Sequence, residues 1–348
     1  MYKIKIIVFK IKKLFVPACI CLFTMFLLIF SNANLLSAKT GLSLWANSVV
    51  PSLLPFFIAT ELLGYTNIIP VLGNLLNKLM KPIFNVPGEG AFPFIMGIVS
   101  GYPIGAKIVS NFKAQGICTN EEAERLLAFT NNSGPLFIIG TVGVGLFKDT
   151  TTGILLFFTH ILACLTVGFL FRWWKSSKRF GQKGATPLLN QTSVSISNLG
   201  EVLANSIMSA INTIFLIGGF IVLFSVIISI LENSGISDII SHLMYPIFNV
   251  FKIPSYYANG IFTGILELTN GVCNIANIAS KAISTNIIIC AFLLGFGGIS
   301  IMLQILSITS KAKISIKPYI IGKLLQGTFA AFYTYIFIYT VPFLNLNL

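Results

Sequence analysis

The stretch Pro82-Ile83-Phe84-Asn85-Val86 recurs in the second half of the chain as Pro246-Ile247-Phe248-Asn249-Val250. Each copy ends an amphipathic segment and precedes a short apolar run that contains glycine. Further along, Ala128-Phe129 reappears as Ala291-Phe292, 163 residues later. Chance alone can produce a five-residue match, but the shared order of features predicts two related halves.

The composition around these repeats indicates a membrane protein. Of the 348 residues, 55% are apolar and only 9% are charged, and the mean hydropathy is +0.88. Soluble domains carry about 25% charged residues, and disordered chains are poor in apolar ones. Both classes are therefore excluded. The net charge of +13 is attributed to basic cytoplasmic loops, so no nucleic-acid partner is predicted.

The chain shows no signature of a metal centre or of catalysis. Its six cysteines lie mostly in apolar stretches, and none belongs to a Cys-x-x-Cys motif or to a cluster with histidine at metal-ligand spacing. No Ser/His/Asp set, phosphate-binding loop or catalytic pair of carboxylates is visible. The sequence therefore predicts neither an enzyme nor a bound cofactor or metal, and it leaves any coupling ion open.

Long stretches with few charged residues mark the predicted membrane spans. A spanning helix needs about 20 apolar residues. Two segments are predicted instead as re-entrant hairpins: 90–112, which contains glycine and proline, and 256–281, which contains glycine. The seven predicted crossings are 14–36, 41–64, 124–147, 150–171, 202–231, 284–310 and a final span from 324.

Three clusters of basic residues predict the orientation. Lys and Arg are enriched in cytoplasmic loops, so all three clusters are predicted to be cytoplasmic, with the N-terminus inside and the C-terminus outside. This arrangement requires the two hairpins to enter the membrane from opposite sides. The clusters are Lys3, Lys5, Lys10, Lys12 and Lys13; Arg172, Lys175, Lys178, Arg179 and Lys183; and Lys311, Lys313, Lys317 and Lys323.

Two halves of opposite orientation are typical of transporters, whose sites lie where broken helices of both halves meet. The predicted fold is an all-α polytopic membrane protein of two inverted-topology repeats, each with a re-entrant helical hairpin and a broken transmembrane helix. The predicted domains are an N-terminal transmembrane helix (1–39), repeat 1 (40–147), a linking helix and basic cytoplasmic loop (148–200), repeat 2 (201–310) and a C-terminal transmembrane helix (311–348).

The N-terminus has a second interpretation. Lysines, an apolar run and Leu36-Ser37-Ala38 also resemble a secretory signal peptide with its cleavage site. The apolar run is long for a signal peptide, so a retained helix is favoured, and cleavage of residues 1–38 is left open.

The first hairpin provides the first group of predicted substrate-binding residues. Glycine and proline break the helix and free backbone N–H groups, which attract anions, and Lys107 adds a positive charge. The alternative is a simple kink with Lys107 extending to the membrane interface. The predicted residues are Ser100, Gly101, Tyr102, Pro103, Gly105 and Lys107.

The second hairpin carries a carboxylate between two apolar runs, Glu267, followed by Thr269 and Asn270. A charged side chain at membrane depth is costly unless it is paired, protonated or hydrated. Glu267 is therefore predicted to be a proton carrier, a cation ligand or the partner of Lys107. A structural ion pair that closes the hairpin is the alternative.

Two helix breaks complete the predicted site. Amides, hydroxyls and a Gly-Pro pair interrupt the apolar span at 130–135, and Gly297 occupies the corresponding place in the second half. Close helix packing by small residues is an equal alternative for the glycines. His160 is interpreted as an interhelical hydrogen-bonding residue rather than a proton relay, and Glu61 as interfacial. The predicted ligands here are Asn131, Asn132, Ser133, Gly134 and Gly297.

Four motifs resemble the YlbJ (SpoVV) family of sporulation integral membrane proteins, which belongs to the nucleoside-recognition or Gate superfamily. The resemblance covers roughly residues 40–310. The motifs are Pro-Ser-Leu-Leu-Pro-Phe at 51–56, Ser-Gly-Tyr-Pro-Ile-Gly-Ala-Lys at 100–107, Phe-Thr-Asn-Asn-Ser-Gly-Pro at 129–135 and Leu-Glu-Leu-Thr-Asn-Gly at 266–271.

The resemblance implies a role in endospore formation. It implies transport of a small organic anion, dipicolinic acid, from the mother cell across the outer forespore membrane, and a multi-pass protein of the cell membrane or outer forespore membrane. It also implies a relationship to concentrative nucleoside transporters. Two other functions stay open: transport of a nucleoside or another polar solute, and a non-transporting membrane scaffold for spore maturation. The expected partners are the anionic substrate and the lipid bilayer, and a homo-oligomer is left open.

Overall fold

A computed structural model describes residues 2–175, 195–250, 253–278 and 283–340, with side chains from residue 14 onward except that of residue 247. Within these ranges the chain is helical and contains no strand. Some predicted features lie outside them. These are the side chains of the first basic cluster, Lys178, Arg179 and Lys183 of the second, and the last predicted span beyond Thr340.

The first half of the described chain contains eight α-helices. A π-helical turn, Trp45–Val49, joins the second helix to the third, and a π-helical segment, Leu136–Leu146, precedes the eighth. The helices are α1 (Tyr2–Ile29), α2 (Ser31–Leu44), α3 (Val50–Gly64), α4 (Ile68–Phe84), α5 (Ala91–Val99), α6 (Ile104–Ala114), α7 (Asn120–Phe129) and α8 (Thr150–Phe171).

The second half repeats the element order of α3 to α8: a long helix, an amphipathic helix, a 3-10 turn, a helical hairpin, a broken helix and a long helix. By this order α15 is the counterpart of α8. Opposite orientation of the two halves stays a prediction. The helices are α9 (Leu199–Asn233), α10 (Ile236–Val250), α11 (Ala258–Leu266), α12 (Leu268–Ala276), α13 (Ile283–Phe296), α14 (Gly298–Lys311) and α15 (Lys317–Thr340).

Within the described ranges, four helical stretches are long and apolar enough to cross a membrane. They are Ser31–Gly64, Thr150–Phe171, Ile196–Asn233 and Ile283–Lys311. The chain is therefore an all-helical polytopic membrane protein, as predicted from its composition. The count of seven crossings and their directions stay predictions, since the structure contains no membrane.

The first two helices meet at a different place from the predicted one. The bend lies at Phe30, between α1 and α2, whereas the sequence suggested a connection near residues 37–40. The side-chain amide of the buried Asn34 donates to the carbonyl oxygens of Phe26 and Leu27, at 3.1 and 3.5 Å. It thereby satisfies carbonyl groups at the end of α1, and α2 and α3 continue as one helical run.

Both predicted hairpins are present as pairs of short helices. Each nine-residue arm, such as α5, α11 or α12, is about 14 Å long at 1.5 Å per residue. That is half the ~30 Å of a hydrocarbon core, so no arm can span it alone. In the second hairpin the arms touch, because a Cβ atom on Gly271 would lie 2.0 Å from the Cα of Gly264.

Two helices are broken where polar residues or glycines interrupt them. After α7 ends at Phe129, residues 131–134 are not helical, and the helix resumes at Pro135, just before the π-helical segment. In the second half, Gly297 separates α13 from α14. Gly297 and Gly298, the first residue of α14, have φ angles of +85° and +84°, which only glycine adopts readily. The first break was predicted at 130–135, and the second falls at Gly297-Gly298.

Side-chain caps are present at the N-termini of α7, α8 and α12. Thr119 and Glu122 form a reciprocal capping box at the start of α7, with distances of 3.2 and 2.8 Å. Asp149 caps α8, and Glu267 caps α12. The starts of these helices are thus specified locally, by residues that satisfy the free N–H groups of the first turn.

Helix α15 packs against α7, α8 and α13. Glycines allow the close approach. A Cβ atom on Gly322 would lie 2.6 Å from the Ala128 carbonyl oxygen, and one on Gly327 would lie 2.8 Å from that of Phe292. The last helix therefore contacts the elements that precede both breaks, and it helps to position the site.

Candidate substrate cavity between the two hairpins

A buried cavity lies where the tips of both hairpins meet the first helix break. Five predicted site residues line it: Gly101 and Tyr102 from the first hairpin, Gly134 from the break, and Glu267 and Thr269 from the second hairpin. Two polar residues that were not predicted, Ser52 and Gln304, also line it. The apolar wall consists of Val49, Leu53, Phe137, Ile217, Ile221 and Ile301.

The cavity is nearly closed. It contains about 450 Å³ of empty space including its mouth, but only about 20 Å³ is open to the centre of a water molecule. That is room for about one water molecule. A solute with a ring can therefore enter only if the hairpins or the adjoining helices move apart.

Glu267 contributes a carboxylate to this cavity and is only 3% exposed. The residue is extended between α11 and α12, and its Oε2 accepts a hydrogen bond of 2.8 Å from the backbone N–H of Asn270. Thr269 also hydrogen-bonds to the carboxylate. Among the described residues, no Lys or Arg forms an ion pair with Glu267. Helix capping thus accounts for how the carboxylate is held at the hairpin tip.

Gln304 adds a second acceptor. Its side chain is 1% exposed, its Oε1 has no hydrogen-bond partner among the described residues, and its Nε2 donates to Ser300 at a long 3.5 Å. A buried amide oxygen without a partner is costly and marks a place where a ligand or water donates. With Glu267, it makes the cavity rich in hydrogen-bond acceptors.

Lys107 lies outside this cavity, in an ion pair with Glu61. Its Nζ is 2.6 Å from Glu61 Oε1, and it also donates to the hydroxyls of Ser209 and Thr213 at 2.8 and 3.1 Å. The pair lines a separate cleft of about 750 Å³. Lys107 is thus the partner of Glu61 and joins α3, α6 and α9, whereas pairing with Glu267 was one of the predicted alternatives.

Other predicted residues of the hairpins build their shape. Ser100 Oγ is 2.6 Å from Thr60 Oγ1, and Pro103 follows a cis peptide bond at the turn. A Cβ atom on Gly105 would lie 2.0 Å from the Thr130 carbonyl oxygen, so the first hairpin presses directly on the break. In the second hairpin, the amide of Asn270 donates to Ser225 Oγ at 3.3 Å.

The polar residues of the first break face α15 and α8. Asn132 Oδ1 accepts from Gln326 Nε2 at 2.8 Å, and the Ser133 N–H donates to His160 Nε2 at 3.3 Å. The Asn131 carbonyl accepts from Lys323 Nζ at 3.2 Å. These groups form a buried network beside the cavity, and the interhelical hydrogen bond predicted for His160 is present.

The position of Lys323 corrects the sequence-based prediction. It was assigned to the third basic cluster in a cytoplasmic loop, yet its side chain is 3% exposed in the interior of α15. The other members of that cluster, Lys311, Lys313 and Lys317, are exposed. Counting basic residues along the sequence cannot distinguish a lysine in a loop from a buried lysine that lies one or two helical turns further along the chain.

Lys323 and Gln326 were thus missed by sequence reasoning, as were Ser52 and Gln304 in the cavity, although a signal for Lys323 existed. It lies 163 residues after His160, the same offset that relates Ala128-Phe129 to Ala291-Phe292. It is also close to the second break, because a Cβ atom on Gly297 would lie 3.6 Å from the Lys323 Cε.

The chain with this two-part architecture matches a known protein family. A family model described as nucleoside recognition, named Gate, matches residues 46–171 and 214–343. The chain belongs to the Gate family. The two matched segments of this Gate-family chain correspond to the element series that ends with α8 and to the one that ends with α15.

One curated relative of this Gate-family chain is the sporulation integral membrane protein YlbJ of Bacillus subtilis (strain 168). The two are 36% identical over 334 residues, which cover 92% of this chain and 82% of the relative. No solved structure matches the chain. The family and the relative agree with the helical, membrane-spanning architecture described above.

Proposed function

We propose that this Gate-family protein is a membrane transporter of a small organic anion, with the cavity between the hairpin tips as its substrate site. One observation carries the proposal: elements from both halves of the chain converge on a single buried cavity, which is lined by Gly101, Gly134 and Glu267. Transporters of two related halves place their substrate sites at such meeting points of broken helices. The N-terminus is proposed to be cytoplasmic.

The proposed substrate is dipicolinic acid, moved from the mother cell across the outer forespore membrane. The relation to a sporulation integral membrane protein supports this choice. Dipicolinate is a planar ring with two carboxylates, and free backbone N–H groups at helix breaks and hairpin tips suit such groups.

The acceptors in the cavity limit how this anion can bind. An ionised Glu267 would repel a bare carboxylate, and Gln304 Oε1 gives that carboxylate no hydrogen bond. The anion must therefore enter with a proton or a cation, or Glu267 must itself be protonated. Two neighbouring carboxylates with no proton or cation to neutralise them are too costly at this depth. Lys107 lies in the separate cleft, paired with Glu61, and does not neutralise the anion in the cavity.

The same acceptors favour a second candidate, a nucleoside or another neutral polar solute. Sugar hydroxyls and base N–H groups would donate to the Glu267 carboxylate and to the partnerless Gln304 Oε1. The nucleoside-recognition description of the family supports this alternative.

Uptake into proteoliposomes distinguishes the candidates. The full-length protein is reconstituted, and uptake of labelled dipicolinate is compared with that of labelled uridine. Thr269→Val serves as the cavity variant and the exposed Lys317→Ala as the matched control. We expect dipicolinate uptake that Thr269→Val reduces and Lys317→Ala leaves unchanged. Uridine uptake alone would favour the nucleoside alternative, and uptake of neither solute would favour the scaffold.

Complementation tests the biological role. The chain is expressed in a Bacillus subtilis strain that lacks YlbJ, and the dipicolinate content of the spores and of the mother cells is measured. We expect spore dipicolinate to depend on the introduced chain while mother-cell synthesis continues without it. Normal spore dipicolinate in its absence would contradict the proposal.

A further inference from the structure

A buried lysine side chain, that of Lys323, reaches the break that follows helix α7. Lys323 Nζ donates to the Asn131 carbonyl oxygen at 3.2 Å and to Gln326 Oε1 at 2.9 Å. The side chain is 3% exposed, and among the described residues no carboxylate lies within ion-pairing distance of it. An ammonium group held by neutral oxygens alone, without a counter-ion, needs an explanation.

The oxygens around this ammonium are of the kind that bind a free cation. Helix α7 ends at Phe129, so the Asn131 carbonyl lies outside the helix, in the break, close to the negative end of the α7 dipole. In transporters with broken helices, such carbonyls coordinate the coupling cation. Asn131 also has a buried side-chain oxygen, Oδ1, with no hydrogen-bond partner among the described residues.

Neighbouring groups hold these oxygens in place. Gln326 Nε2 donates to Asn132 Oδ1 at 2.8 Å and lies 3.3 Å from His160 Nε2, which turns Gln326 Oε1 toward Lys323. His160 Nε2 also accepts from the Ser133 N–H. With two donors directed at one ring nitrogen, that nitrogen must be an acceptor, so the imidazole is neutral.

The other titratable groups around Lys323 provide no negative charge. From α8, the Cys164 thiol donates to the Phe129 carbonyl oxygen, and the Tyr319 hydroxyl on α15 accepts from Asn131 Nδ2. Helix α13 contributes no charged side chain to this region. The site is therefore a set of oxygens with one cation in it, and that cation belongs to the chain itself.

We propose that Lys323 is a tethered cation: its ammonium occupies a cation site at the broken end of α7, in place of a free monovalent cation, and holds the break together. The inference concerns the stability of the break and is independent of the substrate proposed above. Its chemical consequence is that a small primary ammonium ion should replace the side chain once the lysine is removed.

Chemical rescue in detergent tests this proposal. Thermal unfolding of the full-length wild type, Lys323→Ala and the same-helix control Lys317→Ala is measured with and without methylammonium chloride. Tetramethylammonium chloride at the same concentration controls for ionic strength, since it has the same charge but no N–H donors. We expect Lys323→Ala to lose at least about 5 °C in Tm, and methylammonium to restore at least half of the loss.

Methylammonium should not change the Tm of the wild type or of Lys317→Ala. The proposal is overturned if Lys323→Ala unfolds at the wild-type temperature, or if methylammonium raises its Tm no more than tetramethylammonium does. Should Lys323→Ala fail to fold, Lys323→Met preserves most of the volume without the charge. A Lys323→Met protein as stable as wild type would also overturn the proposal, and a loss of several degrees would support it.

Discussion

Lys323 and His160 approach the Gln326 side-chain amide from its two ends. Lys323 Nζ donates to Gln326 Oε1 at 2.9 Å, and His160 Nε2 lies 3.3 Å from Gln326 Nε2. The two residues lie 163 positions apart on α8 and α15, the corresponding last helices of the two halves. Corresponding positions of the two halves thus bring an imidazole and a lysine side chain to the first break, and their hydrogen bonds join the two halves there.

The contact between the first hairpin and the break at Thr130 predicts the effect of a methyl group. Gly105→Ala would place a Cβ atom 2.0 Å from the Thr130 carbonyl oxygen. Either the hairpin or the break must then shift, and we expect a loss of about 1–3 kcal/mol in stability. Thermal or denaturant unfolding in detergent measures it.

Gly219→Ala on α9 is the matched control, because a Cβ atom there meets nothing within 4 Å. Helix propensity should make that variant equal to or slightly more stable than wild type. Equal stability of Gly105→Ala and Gly219→Ala would show that the hairpin does not press on the break.

The ion pair between Lys107 and Glu61 predicts a coupled response. The two side chains are each 22% exposed and 2.6 Å apart. In a double-mutant cycle of Lys107→Ala and Glu61→Ala, we expect a coupling energy of about 1 kcal/mol, since each single change leaves a partly buried charge without its partner.

Transport by the same variants tests whether Lys107 is only the ion-pair partner of Glu61 or also a substrate ligand. Because Lys107 lies outside the cavity, we expect the double variant to take up solute better than Lys107→Ala alone. Loss of uptake in both, with the protein still in the membrane, would instead identify Lys107 as a substrate ligand.

Glu267 predicts different effects for its amide and alanine replacements. Glu267→Gln retains an oxygen that can accept from the Asn270 N–H, whereas Glu267→Ala removes the cap of α12. We therefore expect the alanine variant to be less stable than the glutamine variant by about 1 kcal/mol.

Uptake by Glu267→Gln then tests the substrate charge. Glu267→Gln removes the negative charge that a proton or a cation must otherwise neutralise before an anion binds, so the KM for dipicolinate should fall at least about fivefold, equivalent to ~1 kcal/mol. An unchanged KM for dipicolinate together with a raised KM for uridine would point to the nucleoside alternative.

Asp149, at the start of α8, predicts a pH-dependent contribution to stability. Partial burial alone would raise the pKa of its carboxyl, but hydrogen bonds from Thr152 and Thr151 outweigh this and lower the pKa below the ordinary 3.8. The distances from Thr152 N and Oγ1 to Oδ2 are 2.7 and 2.6 Å. A lowered pKa means that the ionised carboxylate stabilises the fold above pH 4, and that this contribution is lost as the pH falls through the folded pKa.

We expect Asp149→Ala to be about 1 kcal/mol less stable than wild type at pH 7. The difference should narrow as the pH is lowered from 5 to 3. Asp149→Asn, which retains a capping oxygen without the charge, is the control and should show a smaller difference at pH 7. A difference that does not change with pH would assign the effect to packing.

Local features of the sequence determined much of the architecture. Scarce charge and abundant apolar residues identified a membrane protein, because a bilayer requires apolar surfaces. Gly101 and Pro103 marked the first hairpin turn, and Gly134-Pro135 the first break, since these residue types restrict or free the backbone wherever they occur. Glu267 marked the second hairpin, because a carboxylate is costly inside a continuous membrane-spanning helix and therefore indicates a special place in the fold.

Only the tertiary structure determined which residues the side chains of Lys107 and Lys323 contact. Lys107 pairs with Glu61, 46 residues away, and Lys323 reaches Asn131, 192 residues away. Such contacts depend on which helices pack together and on which face each lysine lies, and neither is encoded in a local pattern. The sequence by itself therefore located the breaks in the backbone, whereas helix packing determined that Glu267 lines the cavity and that Lys323 contacts the first break.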